Sequence, residues 1–214
     1  MLFAALLIAC QTQSETNVFM DESATRLELS SGNGVIEVQP GDALRVERQG
    51  AVSAVGFAFE AEVKDGAAIL GERCPLAWTC HIDTLVELPP GMPLVLRLGT
   101  GELWLSDLDN PLKIDLDAAT VYGSDLVASS LEISSQTANV DLSLDGLSDA
   151  LILDVGVGDL SVELPAGPYA LEVGSGLGEV RLWNVEQAPD AQVDVVMRTG
   201  AGDVSLTGTA TSEP

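Results

Sequence analysis

The sequence predicts an all-β fold, and specifically a β-solenoid with coils of about 18 to 20 residues and an N-terminal cap of strands and a hairpin. Aliphatic and polar residues alternate with a period of two, as in residues 112–117 and 151–155, which is typical of strands with one buried face. A glycine-rich phrase recurs through the second half, and no stretch shows helical periodicity. An antiparallel β-sandwich is the alternative, since it has similar strand spacing.

The recurring phrase has the form Gly-x-Gly-acid-aliphatic-x-aliphatic. It reads GTGELWL at 99–105, GVGDLSV at 156–162 and GAGDVSL at 200–206, with a longer copy at 174–182 and a fainter one from Gly32. A unit this small cannot bury its own aliphatic face, so it becomes stable only when copies stack. We expect the first aliphatic residues of the units to stack inside, at steps of 18, 19, 20, 20 and 24: Leu103, Val121, Val140, Leu160, Val180 and Val204.

The composition fits such a stack. Only 4% of residues are aromatic, and aliphatic side chains suit coils that lie about 4.8 Å apart better than large rings do.

The formal charge is −24, from 33 acidic and 9 basic residues, which disfavours nucleic acid as a partner. The hydrophobic share of 46% argues against disorder. No apolar run reaches the roughly 20 residues that a transmembrane helix needs.

The amino terminus is expected to be a lipoprotein signal peptide over residues 1–9. Leu7, Ile8, Ala9 and Cys10 resemble a bacterial lipobox, which predicts cleavage before Cys10 and a lipid on its sulfur. No Lys or Arg precedes the apolar run, as expected if the segment is truncated. Residues 10–17 would form a tether to the membrane. The alternative is a buried strand with a free cysteine.

Cys74 and Cys80 are expected to form a disulfide, because an exported chain meets an oxidising compartment. Closing this small ring would stabilise the fold by about 2.4 kcal/mol in the chain-entropy model. A zinc site with His81 is the less favoured alternative, since a fourth ligand is missing.

Asp65 and Gly66 lie between two strand-like runs and predict a hairpin. We therefore divide the chain into an N-terminal β region at 18–96, a solenoid at 97–208 and a tail at 209–214.

Catalytic motifs are missing from the sequence, so we expect no enzymatic activity and no cofactor. His81 is the only histidine that a Ser-His-Asp triad could use, and no Gly-x-Ser-x-Gly elbow occurs. Gly156 and Gly158 precede a strand, whereas a dinucleotide-binding loop precedes a helix. Paired carboxylates could hydrolyse glycosides, but 33 acids make such pairs inevitable.

Two sets of residues are candidates for binding. Trp104 and Tyr122 follow inward residues on neighbouring coils, so both rings should point outward and could hold a sugar or a partner protein. The alternative is that both rings pack beneath the hairpin region. Four acids beside the turns could bind calcium if the coils align them, although a solvated acidic face explains them as well: Glu102, Asp159, Glu179 and Asp203.

The lipobox, the strand-Pro-x-Gly-strand joins and the iterated glycine phrase together resemble the bacterial putative-adhesin family of β-strand-repeat proteins, over roughly residues 26–208. The resemblance implies a β-solenoid in the cell envelope and no catalytic residues. Gln11 after the lipidated cysteine favours the outer membrane. The prediction is a non-catalytic adhesion or scaffold module with a surface protein or polysaccharide as partner. The alternatives are a self-assembling polymer, marked by an uncapped apolar end, and a polysaccharide-active enzyme, marked by a groove with convergent carboxylates.

Overall fold

The computed structural model describes residues 13–52, 57–74 and 80–209. These residues form strands and no helix, which confirms the all-β class, and they contain no apolar helix of membrane-spanning length. One large sheet holds the fourteen strands assigned to them. The strands are β1 Gln13–Met20, β2 Arg26–Pro40, β3 Arg45–Val52, β4 Ala58–Lys64, β5 Ala67–Arg73, β6 Cys80–Leu88, β7 Leu94–Ser106, β8 Leu112–Val157, β9 Leu160–Pro165, β10 Pro168–Leu177, β11 Val180–Trp183, β12 Glu186–Gln187, β13 Asp194–Ala201 and β14 Val204–Thr209.

Parallel pairing between successive repeats organises the middle of the chain. Leu103 of β7 pairs with Val121 of β8, and Val140 of β8 pairs with Leu160 of β9. The long strand β8 continues through three successive repeats and also pairs with β13 through residues 150–157. The first and third of the predicted steps are thus hydrogen-bonding registers between neighbouring strands.

The last repeat does not lie where the sequence order places it. Leu160 pairs with Val204 and not with Val180, and Val204 pairs in turn with Val180. Strands β13 and β14 are therefore inserted between the β8–β9 repeat and the β10–β11 repeat. The expected step from Leu160 to Val180 is therefore wrong. Two copies of the same phrase offer the same pairing surface, and the copy in β14, which is later in the sequence than β11, is the one that pairs with β9.

The amino-terminal end shows a similar interleaving. Strand β2 pairs in parallel with β7 on one side and with β5 and β6 on the other. Strands β3 and β1 then extend the sheet in antiparallel fashion beyond β6. Residues 13–17, for which the sequence predicts a tether, form the first half of β1 because they pair with β3.

The predicted hairpin is confirmed as the β4–β5 pair. Lys64 pairs with Ala67 across Asp65 and Gly66, whose φ angles are 51° and 77°. Positive φ at both central residues is the backbone twist that a two-residue hairpin turn requires. The hairpin joins the main sheet through β5, whose partner is the beginning of β2.

Aliphatic residues form a continuous core beneath the parallel strands. The rows that begin at Leu103 and Leu105 are buried to 2% exposure or less through β7, β8, β9 and β14. The outward row between them carries Trp104 and Tyr122 and then Asp141, Ser161 and Ser205, so each strand has one face in the core and one face towards solvent. Cys74 and Cys80 form the predicted disulfide, with Cα atoms 6.3 Å apart, beside a small cluster around Ile82.

Candidate functional site

Trp104 of β7 and Tyr122 of β8 form a stacked aromatic pair on the outer face of the sheet. They are register partners in the parallel ladder, which places one ring directly beside the other. Their ring centroids are 4.2 Å apart and their planes differ by 25°. Trp104 is 41% exposed and Tyr122 36% exposed, so neither ring is packed beneath the hairpin region. The indole nitrogen of Trp104 donates a hydrogen bond to Glu102 Oε2 at 3.2 Å, which orients the ring.

An open groove of about 290 Å³ adjoins the aromatic pair. Parallel stacking places the outward hydroxyl and carboxylate groups of the following repeats along its wall. Such a wall offers apolar ring faces at one side and hydrogen-bond acceptors at the other. The polar residues that line it are Ser106, Ser124, Ser143, Asp141 and Glu163.

Three of the four acids proposed for calcium belong to a hydrogen-bond ladder that links neighbouring strands. Asn139 Oδ1 accepts from the backbone N–H of Asp159 at 3.1 Å, and Asp159 Oδ1 accepts from the N–H of Asp203 at 2.8 Å. Asp203 Oδ1 accepts from the N–H of Glu179 at 2.9 Å. Each short side chain therefore satisfies a backbone donor of the next repeat at the corner.

This ladder gives the carboxylates of Asp159 and Asp203 a structural role, whereas Glu179 contributes its backbone N–H and its carboxylate pairs with Arg181. In the part of the chain that the structure describes, no three His, Cys, Asp or Glu side chains come together to hold a metal ion. The fourth acid, Glu102, orients Trp104. The occurrence of Asn139 in the same position of the preceding repeat is the sequence signal for this role, because Asn and Asp share the acceptor oxygen but not the charge.

We expect Asp159→Ala to lower the free energy of unfolding by about 1 kcal/mol, because it removes the acceptor for the Asp203 N–H. Asp159→Asn keeps that acceptor and should stay within about 0.5 kcal/mol of the parent protein. Urea unfolding of the three proteins checks this, with and without millimolar calcium. A calcium-dependent gain in stability that Asp159→Asn abolishes would instead show that the carboxylate binds the ion.

A second groove has a volume of about 670 Å³ and contains several carboxylates. A groove with convergent carboxylates is the feature that the polysaccharide-active alternative requires. In this groove Glu72 is half-buried, and burial raises the pKa of that carboxyl, while hydrogen bonds from the Gly32 N–H at 2.6 Å and the Ser31 hydroxyl at 3.1 Å oppose the rise. These bonds tie Glu72 to β2, and Asp115 pairs with Arg97 at 3.7 Å. The polar lining comes from four acids, four serines, one arginine and one glutamine: Glu72, Asp115, Asp117, Asp154, Ser30, Ser31, Ser134, Ser135, Arg97 and Gln136.

Sequence reasoning missed Arg48, a buried charge at the amino-terminal end of the sheet. Arg48 is 1% exposed, and burial lowers the pKa of its guanidinium, which the charge of Glu72 partly opposes. The alternation Leu44, Val46, Arg48 places it on the inward face, and this was the available signal. Cys10 lies outside the described residues, so its lipidation stays a prediction.

The comparisons with known proteins find a likeness in structure and none in sequence. No family model matches the chain, and no curated protein matches it in sequence. Its structure is similar to that of a putative cell adhesion protein from Clostridium sporogenes, with a TM-score of 0.50 and 16% identity over 93% of this chain and 100% of that one. A putative adhesin from Bacteroides fragilis matches with a TM-score of 0.47 and 15% identity over 92% of this chain and 98% of that one. The predicted resemblance to the putative-adhesin family is therefore confirmed at the level of the fold.

Proposed function

We propose that this chain is a non-catalytic, lipid-anchored cell-envelope protein whose open β-solenoid binds a neutral polysaccharide through Trp104 and Tyr122. The exposed, stacked aromatic pair beside a groove of hydroxyls and carboxylates carries the proposal. Large rings are scarce in this chain, at 4% of residues, and two of them lie face to face on the outer surface. An exposed apolar patch that is rimmed by polar residues is typical of an interaction site.

The solenoid is inferred from the register of the strands. Parallel partners that lie one repeat apart in the sequence, with inward rows that stay buried from β7 to β14, are what stacked coils require. A stack of this kind is a rigid spacer, because every coil is hydrogen-bonded to its neighbours. It holds an outward-facing site at a fixed position, which suits an adhesion or scaffold module.

Envelope location is inferred from two features. The Cys74–Cys80 disulfide is typical of proteins that fold outside the cytosol. The apolar segment before Cys10 has the pattern of a lipoprotein signal, and Gln11 favours the outer membrane. Mass spectrometry of the mature protein should find a lipidated Cys10 as the first residue, and globomycin or Cys10→Ala should block this processing. An unmodified Cys10 with Met1 retained would contradict the anchor.

The chemistry of the groove favours an uncharged glycan. Sugar rings present C–H faces that pack on aromatic side chains, and their hydroxyls can donate hydrogen bonds to Asp141 and Glu163. An anionic polysaccharide would meet these carboxylates and the overall charge of −24, which repel it. The clostridial protein with the same fold is described as a putative cell adhesion protein, which agrees with a binding role.

We expect Trp104→Ala combined with Tyr122→Ala to weaken binding of a neutral polysaccharide at least tenfold, because the ring faces are lost. Affinity electrophoresis through gels that contain a glucan, a mannan or an anionic polysaccharide measures this. Val127→Ala is the control, since Val127 is an exposed apolar residue of β8 that does not line the groove and should not affect retardation.

Equal retardation of the double variant and the parent protein would contradict polysaccharide binding through the aromatic pair. Preferential binding of the anionic polysaccharide would contradict the neutral class of ligand. Release of reducing sugar ends from a bound glycan, abolished by Glu72→Gln, would replace the non-catalytic module by a hydrolase that uses the second groove.

A further inference from the structure

The carboxyl-terminal end of the stack, formed by β10 and β11, exposes a cross-section of the aliphatic core. Val180 lies in the same inward row as Val204 and Leu160, which are 0% and 1% exposed, yet Val180 is 43% exposed. Leu182 follows the fully buried Leu206 in the next row and is 47% exposed. No strand of the described residues covers these side chains, so this end of the stack is uncapped.

The backbone at this end is also open. Strand β11 pairs only with β14, and β10 pairs with β13 on one side and with just two residues of β12 on the other. The outer edges of β10 and β11 thus present hydrogen-bonding groups without a strand partner in the described chain. An open strand edge beside exposed aliphatic side chains is a template for pairing with another strand.

The opposite end of the stack is covered. Leu70, Ile82 and Val86, which lie inward on β5 and β6, are at most 1% exposed beneath the antiparallel strands and the hairpin. The edge strand β4 carries Glu60, Glu62 and Lys64 and is exposed along most of its length. Charged side chains on an edge discourage strand pairing.

The edge strands β4 and β1 expose apolar side chains as well, with Val63 at 44% and Met20 at 65%, so both ends of the described chain have open edges. At the β10–β11 end, the exposed Val180 and Leu182 belong to the rows that begin at Leu103 and Leu105.

An occupant that fits this end has its own apolar surface and its own open strand edge. The β10–β11 end of a second copy has both.

We propose that the β10–β11 end binds the same end of a second copy about a two-fold axis, with β11 antiparallel to its counterpart. Glu179, the residue before β11, and Arg181 flank Val180 on the outward side, where their side chains form an ion pair within the chain. Antiparallel pairing centred on Val180 therefore places each Glu179 beside the Arg181 of the other copy, so the edge is complementary in charge to itself. Val180 and Leu182 of both copies are then covered.

This symmetry makes the assembly stop at two. A two-fold contact uses the same surface on both partners and leaves no copy of that surface free, whereas a head-to-tail contact would continue into a filament. The covered amino-terminal ends face away from the contact. The two aromatic sites are then presented by one rigid unit, and the dimer should weaken at low ionic strength because each chain carries a charge of −24.

Protein purified after expression of the full chain tests the proposal by light scattering during gel filtration and by sedimentation equilibrium. The parent protein should have twice its monomer mass, and Leu182→Lys should reduce it to the monomer because two ammonium groups would meet in an apolar contact. Val127→Lys is the control, since Val127 is 53% exposed on β8, away from this end, and this variant should remain dimeric. Melting curves verify that both variants are folded.

Charge exchange tests the pairing independently of apolar contact. Arg181→Glu alone and Glu179→Arg alone place like charges together and should each raise the dissociation constant at least tenfold. The double exchange should restore it. A monomeric parent protein, filaments of it, or equal dissociation by Leu182→Lys and Val127→Lys would each overturn the proposal, as would a double exchange that fails to restore the dimer in folded protein.

Discussion

Gly101→Ala should lower the free energy of unfolding by more than about 4 kcal/mol, a loss that few single substitutions cause. Gly101 lies at a corner where β7 passes β2, and its φ is 138°. A Cβ atom there would lie 1.8 Å from the carbonyl oxygen of Gly34 on the neighbouring strand. The substitution must therefore strain the backbone and push two paired strands apart at once.

Gly174→Ala is the matched control for this prediction. Gly174 opens another copy of the same glycine phrase, but a Cβ built on it meets no atom within 4 Å and its φ is not in the positive region. We expect a change within about 0.5 kcal/mol. Denaturant unfolding measures the free energy of unfolding of both variants, provided that its dependence on denaturant concentration has the same slope in each. Similar stability of the two variants would show that the backbone at Gly101 can relax. It would contradict the prediction that β2 and β7 are packed too closely for a Cβ atom.

Arg48→Ala should cost about 3 to 5 kcal/mol, because it removes the centre of a buried polar network. The guanidinium donates to Gly71 O at 2.6 Å, to Asn17 Oδ1 at 2.9 Å and to the carbonyl of Glu60, and it lies 4.6 Å from the centre of the Phe59 ring. It thereby joins β3 to β1, β4 and β5. Its loss leaves buried carbonyl oxygens without donors.

Two further variants separate geometry from charge at this site. Arg48→Lys keeps the charge but has a single nitrogen in place of the planar fork, so it should recover only part of the loss. Arg97→Ala removes an arginine that is 68% exposed, and we expect less than about 1 kcal/mol. Thermal and urea unfolding compare the set. If Arg48→Ala is as stable as Arg97→Ala, the network does not hold the amino-terminal end together.

Local patterns in the sequence predicted much of the fold and of the aromatic site. Alternation identified the strands, the repeat length placed Trp104 beside Tyr122, and Asp65 with Gly66 identified the hairpin turn. These features depend on neighbouring residues or on one repeat length. They are therefore visible in a single chain before any tertiary contact is known.

The features that sequence reasoning missed depend on choices between equivalent partners. The copies that contain Val180 and Val204 carry the same phrase, so pattern alone cannot show that Val204 lies next to Leu160. The acids at Asp159 and Asp203 have a hydrogen-bonding role that appears only when the corners are in register. Arg48 is buried because three other strands supply its acceptors, and these strands are distant in the sequence.

The insertion of β13 and β14 beneath β10 and β11 has a consequence for how the molecule is made. Residues 168–183 are synthesised earlier than residues 194–209, yet they can dock in their final place only on top of them. A nascent chain must therefore hold β10 and β11 aside, or release them from a premature docking on β8 and β9, until its last strands arrive. Assembly of this end is therefore a late step that requires the last strands of the described chain.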